Sequence, residues 1–164
     1  MYRLMLPLIF FATILLCPGF CRAQSKPTAS FLRTDTFAQG TWKGNYGADG
    51  YAVANDSTSY PTYAQVSFTG QSFYTWASST ADFRALQKAA SSTDRIAACW
   101  YSTTSFTIDV NLTDGHSHQI SMYCLDWDNY NGGRVQRIDV LDASNSNVLD
   151  THNVSAYQNG IYFV

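Results

Sequence analysis

All twelve acidic residues of this chain are Asp, and Glu is absent. Lys is confined to Lys26, Lys43 and Lys88. The straight-chain polar residues that helices favour are thus scarce, while Asp, Ser and Thr, which compete with the backbone for its own hydrogen bonds, are abundant. A long surface helix has little to be built from. Aromatic residues make up 15% of the chain, enough to favour packed strands over disorder. The expectation is an all-β fold.

The pattern along the chain agrees. Short apolar or alternating runs recur between clusters of Gly, Asp, Asn and Ser, at the spacing of a β-sandwich or barrel. The strand candidates are 50–53, 64–68, 73–76, 95–101, 105–112, 118–126, 135–141, 148–154 and 161–164. In 105–112, Phe106, Ile108, Val110 and Leu112 take every second place, the period of a half-buried strand. Asp114-Gly115 follows, a pair that accepts the positive φ of a tight turn, so a hairpin from this strand to the one at His118 is expected. Residues 120–125 are apolar at most positions on both faces, as in a central strand covered on each side. Residues 81–90 place Phe83, Leu86 and Ala90 at helical spacing, but their strand neighbours favour a short edge strand.

The N-terminus has the three parts of an export signal: Arg3, a mostly apolar stretch over 4–17, and Cys21-Arg22-Ala23 with small residues at the cleavage positions. Cleavage is expected after Ala23. A membrane anchor is the competing reading, but Pro7 interrupts the apolar stretch, which falls short of the roughly 20 residues of a spanning helix. Bulky Leu16 and Phe20 before Cys17 and Cys21 disfavour a lipid-attachment site. The organisation is therefore a signal peptide over 1–23, a linker over 24–33 and one β-sandwich domain over 34–164, secreted or periplasmic, without a membrane span once processed. Ten Lys and Arg fall to eight when Arg3 and Arg22 leave, giving a net charge of −4 against twelve Asp. With no basic cluster, nucleic acid is not an expected partner. The exported domain keeps only Cys99 and Cys124. Export permits a disulfide between them, but both lie in apolar strand-like runs where reduced, buried thiols fit equally.

Asp126-Trp127-Asp128, at the end of the expected central strand, is the most suggestive local group. Two carboxylates flanking an indole can anchor a loop, hold a structural Ca²⁺ through hard oxygens, or serve as an acid–base pair. Loop anchoring comes first, ligand or Ca²⁺ binding second and catalysis last, because residues i and i+2 on a strand lie only about 7 Å apart. His116 and His118 flank a turn without a third metal ligand nearby in sequence. No nucleophile elbow is present. The four tryptophans, with Trp100 expected inside, form a large aromatic stock. Such rings stack on sugars while Asp and Asn bind hydroxyls, which makes Trp127, Asp126, Asp128, Tyr51 and Tyr130 the candidate ligand residues. Asn55, Asn111 and Asn153 each begin an Asn-x-Ser/Thr triplet, relevant only in a host that glycosylates secreted chains.

Several segments carry a resemblance: Gly40-Thr41-Trp42-Lys43-Gly44-Asn45-Tyr46-Gly47-Ala48-Asp49-Gly50-Tyr51, Arg84-Ala85-Leu86-Gln87, Arg95-Ile96-Ala97-Ala98-Cys99-Trp100-Tyr101, Phe106-Thr107-Ile108-Asp109-Val110-Asn111-Leu112 and Leu125-Asp126-Trp127-Asp128. Together, over about 36–164, they resemble a tail module of large bacterial secreted and surface proteins. The resemblance implies a galactose-binding-like β-sandwich of jelly-roll type, usually appended to glycoside hydrolases or to fibronectin-type and immunoglobulin-like arrays. It implies further strands after residues 161–164; if they belong to the sandwich, the chain is either a truncated product lacking its final strands or leaves an unpaired sheet edge that another segment could fill. The expected function is non-catalytic binding of a glycan or cell-surface polymer, with no cofactor beyond a structural Ca²⁺. The alternatives are a structural or adhesive module of the cell surface and a small hydrolase using Asp126 and Asp128.

Overall fold

The computed structural model describes residues 26–164. The expected signal peptide, its expected cleavage point and the first two residues of the expected linker lie outside the described residues. Within them the chain is all-β and every strand pair is antiparallel. The strands form separate short ladders, so no sheet closes on itself into a barrel.

The ladder at the centre of the packing joins β1 (Thr34–Asp35) and β9 (Met122–Cys124) to either side of β12 (Ile161–Phe163). Its side chains alternate with period two. Tyr162 and Val164 enter one apolar cluster with Trp42, Val53 and Ile96, against which Tyr123 also packs. Phe163 and Cys124 enter a second with Val154 and Tyr157, and Ile161 and Met122 pack against that one. The apolar tetrad at 161–164 is thus explained by burial on both faces. The segment preceding β1 joins the same unit: Phe31 packs 4.8 Å from Phe163, and Val164 exchanges backbone hydrogen bonds with Arg33.

β2 (Tyr51–Val53) and β3 (Ser57–Ser59) form a small hairpin. β4 (Ala64–Thr69) pairs along its whole length with β8 (Thr107–Leu112). β5 (Ser72–Thr80) and β6 (Leu86–Gln87) flank β7 (Arg95–Tyr101). β10 (Gln136–Leu141) and β11 (Val148–Val154) form a hairpin whose turn is organised by buried Asp142, which accepts from the Ser144 backbone N–H at 2.9 Å and from the Asn145 amide at 3.0 Å. One 3-10 turn, Tyr130–Gly132, completes the described structure.

Three local expectations are corrected. The strand at 105–112 does not turn back onto the strand after His118: β8 takes β4 as its partner. The Asp-Gly turn forms, with Gly115 at φ 74°, but residues 115–121 are irregular. Second, the strand expected over 118–126 shrinks to β9. It is covered on both faces as its composition demands, yet it stands at the margin of its ladder; the strand flanked on both sides is β12. The last strand is consequently not an open edge. Third, the deeply buried tryptophan is Trp42, 7% exposed, and Trp100 is only half-buried. Residues 81–90 contribute a two-residue strand, β6, rather than a helix.

The long motif 40–51 is architectural. Gly40 donates to the Phe83 carbonyl at 3.0 Å and accepts from the Gln87 N–H at 3.0 Å; a Cβ there would fall 1.9 Å from the Ala85 oxygen, so only glycine permits the approach. The Trp42 indole donates to the Gln87 carbonyl at 2.7 Å, and its ring meets Tyr51 at 4.7 Å.

Candidate aromatic groove and the Arg134 cluster

The structure gathers four of the five sequence-predicted ligand residues around one loop and leaves the fifth elsewhere. Asp126 is 1% exposed. Its carboxylate accepts from the Arg134 backbone N–H at 2.8 Å and is ion-paired with the Arg134 guanidinium. The same guanidinium reaches Asp128, whose other oxygen receives the Trp76 indole N–H at 3.3 Å. Arg134 also lies 5.1 Å from the Tyr130 ring centre and 6.0 Å from that of Trp76, within cation–π range. Trp127 is taken up by Arg84, whose guanidinium carbon stands 4.5 Å above its ring and whose head is fixed by Asp82 at 2.8 Å. Tyr51 belongs to the packing around Trp42.

The cation between Asp126 and Asp128 is therefore the Arg134 guanidinium. Hydrogen bonding to it holds the Asp128 carboxyl below its ordinary range. An acid catalyst needs a proton and access to substrate. Asp126 lacks the access, and Asp128 has its proton pushed off by the pair. The arrangement anchors the loop after β9 to Trp76 on β5. Among the described residues no group of three or more His, Cys or Asp side chains converges on a metal position. His118 is committed to both oxygens of Asp114, each at 3.0 Å, and stacks 4.6 Å from Tyr63. Cys99 and Cys124 are separate thiols. Cys124 accepts from the Gln136 amide at 2.9 Å, and burial pushes both thiols up to about 11.

An open groove of about 390 Å³ lies on the other face of β5 and β7. Phe73 on β5 is opposite Trp100 on β7 in the register, whereas Tyr74 and Cys99 point to the Arg134 side. Trp100 meets Phe68 of β4 at 4.6 Å with the rings tilted 34°. Tyr60, beyond β3, adds a fourth ring. Phe73 is 53% exposed and Tyr60 37%, a large apolar outlay for a surface. The rim is polar: Asn55, Asp56, Ser57, Thr58 and Gln71 surround the rings.

That rim is held in place. Asn55 sits at φ 55° in the turn between β2 and β3, and its amide donates to the Thr75 hydroxyl at 2.7 Å. Asp56 accepts from the Ala89 N–H at 2.7 Å, tying the same turn to the segment after β6. The groove thus sets aromatic rings beside a fixed amide and a fixed carboxylate, with the Ser57 and Thr58 hydroxyls next to them. Sequence reading missed these residues because Phe68, Phe73 and Trp100 look like ordinary alternating strand positions. The available signal was the sheer number of aromatics in adjacent strands. A second depression of about 380 Å³, bordered by Gln65, Ser67, Asp109 and Asn111 on β4 and β8 together with Val66, Val110 and Ala143, carries no ring. Comparison with known protein families, with curated proteins and with solved structures finds no match to this chain.

Proposed function

We propose that the exported domain is a non-catalytic glycan-binding module, a β-sandwich of the galactose-binding-like kind, acting outside the cell. The observation that carries this reading is the open groove in which exposed Phe73 and Tyr60 stand beside half-buried Trp100 and Phe68 inside a polar rim. A pyranose ring offers an apolar C–H face to an aromatic plane and hydroxyls to the groups around it. Stacking with one exposed ring contributes on the order of 1 kcal/mol beyond the area it covers, and two or three rings in line give a weak but selective site. The pinned Asn55–Asp56 turn supports the same reading, because a rim that is already ordered loses little entropy on binding.

The test is a glycan array probed with the secreted protein, followed by affinity electrophoresis in the best polysaccharide. The wild type should be retarded. Trp100→Ala and Phe73→Ala should each weaken binding about tenfold or more, while Tyr130→Ala, on the Arg134 side, should leave it unchanged. No enrichment on any glycan would remove this reading.

A further inference from the structure

The charge around the groove is one-sided. Among the described residues Asp56 is the charged one of its lining, and no Lys or Arg borders it. The hydrogen bond from the Ala89 N–H fixes that carboxylate at the rim. The cations on the neighbouring elements are occupied elsewhere. Arg95 donates to the Ala85 carbonyl at 3.0 Å and to the Thr41 hydroxyl at 2.9 Å, and the Lys43 ammonium is held by the Ala89 and Ser91 carbonyls at 2.8 and 2.6 Å. Lys88 pairs with Asp94, Arg84 with Asp82 and Arg134 with Asp126 and Asp128.

From this we propose that the groove selects neutral glycans and rejects those carrying uronate or sulfate groups, a specificity that rests on the glycan-binding function proposed above. A carboxylate or sulfate entering along the rings would lose water and meet Asp56 with no counter-cation to replace that hydration. A neutral pyranose with equatorial hydroxyls meets no such cost. It places its C–H face on Trp100 and Phe73 and its hydroxyls toward Ser57, Thr58 and Gln71, which carry donors and acceptors but no charge.

The experiment is calorimetric titration of the protein at low ionic strength with two sets of hexasaccharides, neutral ones of glucose, xylose and mannose, and anionic ones of galacturonate and sulfated galactose. The expected result is binding of at least one neutral hexasaccharide, with anionic ones at least tenfold weaker. Asp56→Asn keeps a carbonyl oxygen for the Ala89 N–H, and it should raise the anionic affinity by about fivefold, the scale of one unit-charge repulsion at about 4 Å in water, while the neutral affinity stays within twofold. Anionic binding as tight as neutral, with both lost in Trp100→Ala, would overturn the selectivity and leave the glycan function standing. Unchanged anionic affinity in Asp56→Asn would overturn it as well. If no hexasaccharide of either set binds, the glycan function itself fails and the selectivity goes with it.

Discussion

Asp126 is the residue on which the loop after β9 depends, because a buried carboxylate is tolerated only with its counter-charge in place. Its neighbours deliver that charge through one side chain, Arg134, which also holds Asp128. Arg134→Ala would leave Asp126 charged and unpaired in the interior, at a cost of about 3–5 kcal/mol. Asp128→Asn, at a position 39% exposed in its side chain, should cost no more than about 1 kcal/mol. Urea melts of the two variants check the ratio; equal losses would mean that the outer carboxylate matters as much as the buried one. The opposite situation holds at Tyr162. Its hydroxyl is buried between Tyr46 and Tyr123 and finds no hydrogen-bond partner among the described residues. The ring packs well, at 4.2 Å from Tyr46, but the oxygen carries an unreturned desolvation cost of about 1–3 kcal/mol. Tyr162→Phe keeps the packing and removes the oxygen, so the thermal midpoint should rise by a few degrees. A fall would show that the hydroxyl is satisfied in solution.

At the scale of elements, β12 decides the architecture: its alternate residues close two apolar clusters while its backbone pairs on both sides. Its amides should be among the slowest to exchange with deuterated solvent, together with those of β7. The tight turn that admits β12 is set by Gly160, at φ 81°, where a Cβ would fall 1.7 Å from the Tyr123 hydroxyl oxygen. That hydroxyl is not free to retreat, since it donates to the Arg84 carbonyl at 2.7 Å. Gly160→Ala should therefore cost more than the roughly 1–3 kcal/mol of left-handed strain alone, read from the shift of the denaturant midpoint. Much of this organisation was legible in the sequence. Period two gave β8, and the doubly apolar run at 120–125 contains β9, which is packed on both faces. What could not be read was which strand pairs with which. An Asp-Gly turn after β8 favours a local hairpin, yet Leu112 and Val110 take their places opposite Ala64 and Val66 of β4. Tertiary burial overrode the local signal. The candidate ligand residues divided the same way: Asp126, Trp127 and Asp128 are adjacent in the sequence, but their contacts depend on Arg134 and Arg84, whose approach follows from the chain's path and leaves no local mark, and Tyr51, named with them, packs against Trp42 instead. Phe73 and Trp100 became a groove only through the register of β5 on β7.

For the whole molecule, an acidic complement made solely of Asp, set against buried thiols and phenols, defines a stability plateau with two distinct edges. On the acid side, Asp35 is held down by the Tyr46 hydroxyl, Asp82 by Arg84 and Asp128 by Arg134. A carboxyl depressed in the folded state contributes stability that is complete above its unfolded value, about 3.9 for Asp, and is lost as pH falls through the lower folded one. With no Glu to begin titrating earlier, stability should stay flat down to about pH 5 and then drop sharply. On the alkaline side the sign reverses. Burial raises Cys99 and Cys124 to about 11 and Tyr157 to about 12. The folded state keeps protons that the unfolded chain releases from about 8.5 for a thiol and about 10 for a phenol, so stability falls as pH rises through that interval. Thiols titrate before phenols, so the first alkaline loss, beginning near pH 8.5, belongs to the two cysteines. A Cys99→Ala, Cys124→Ala variant should lose some stability at neutral pH from the smaller side chains, yet hold that lower value up to about pH 10, where the tyrosines take over. Urea midpoints measured at half-unit intervals from pH 3 to pH 11 decide it: an alkaline edge that does not move in the double variant would show that the thiols are not protected by burial, and would bring their tight placement on β7 and β9 into question.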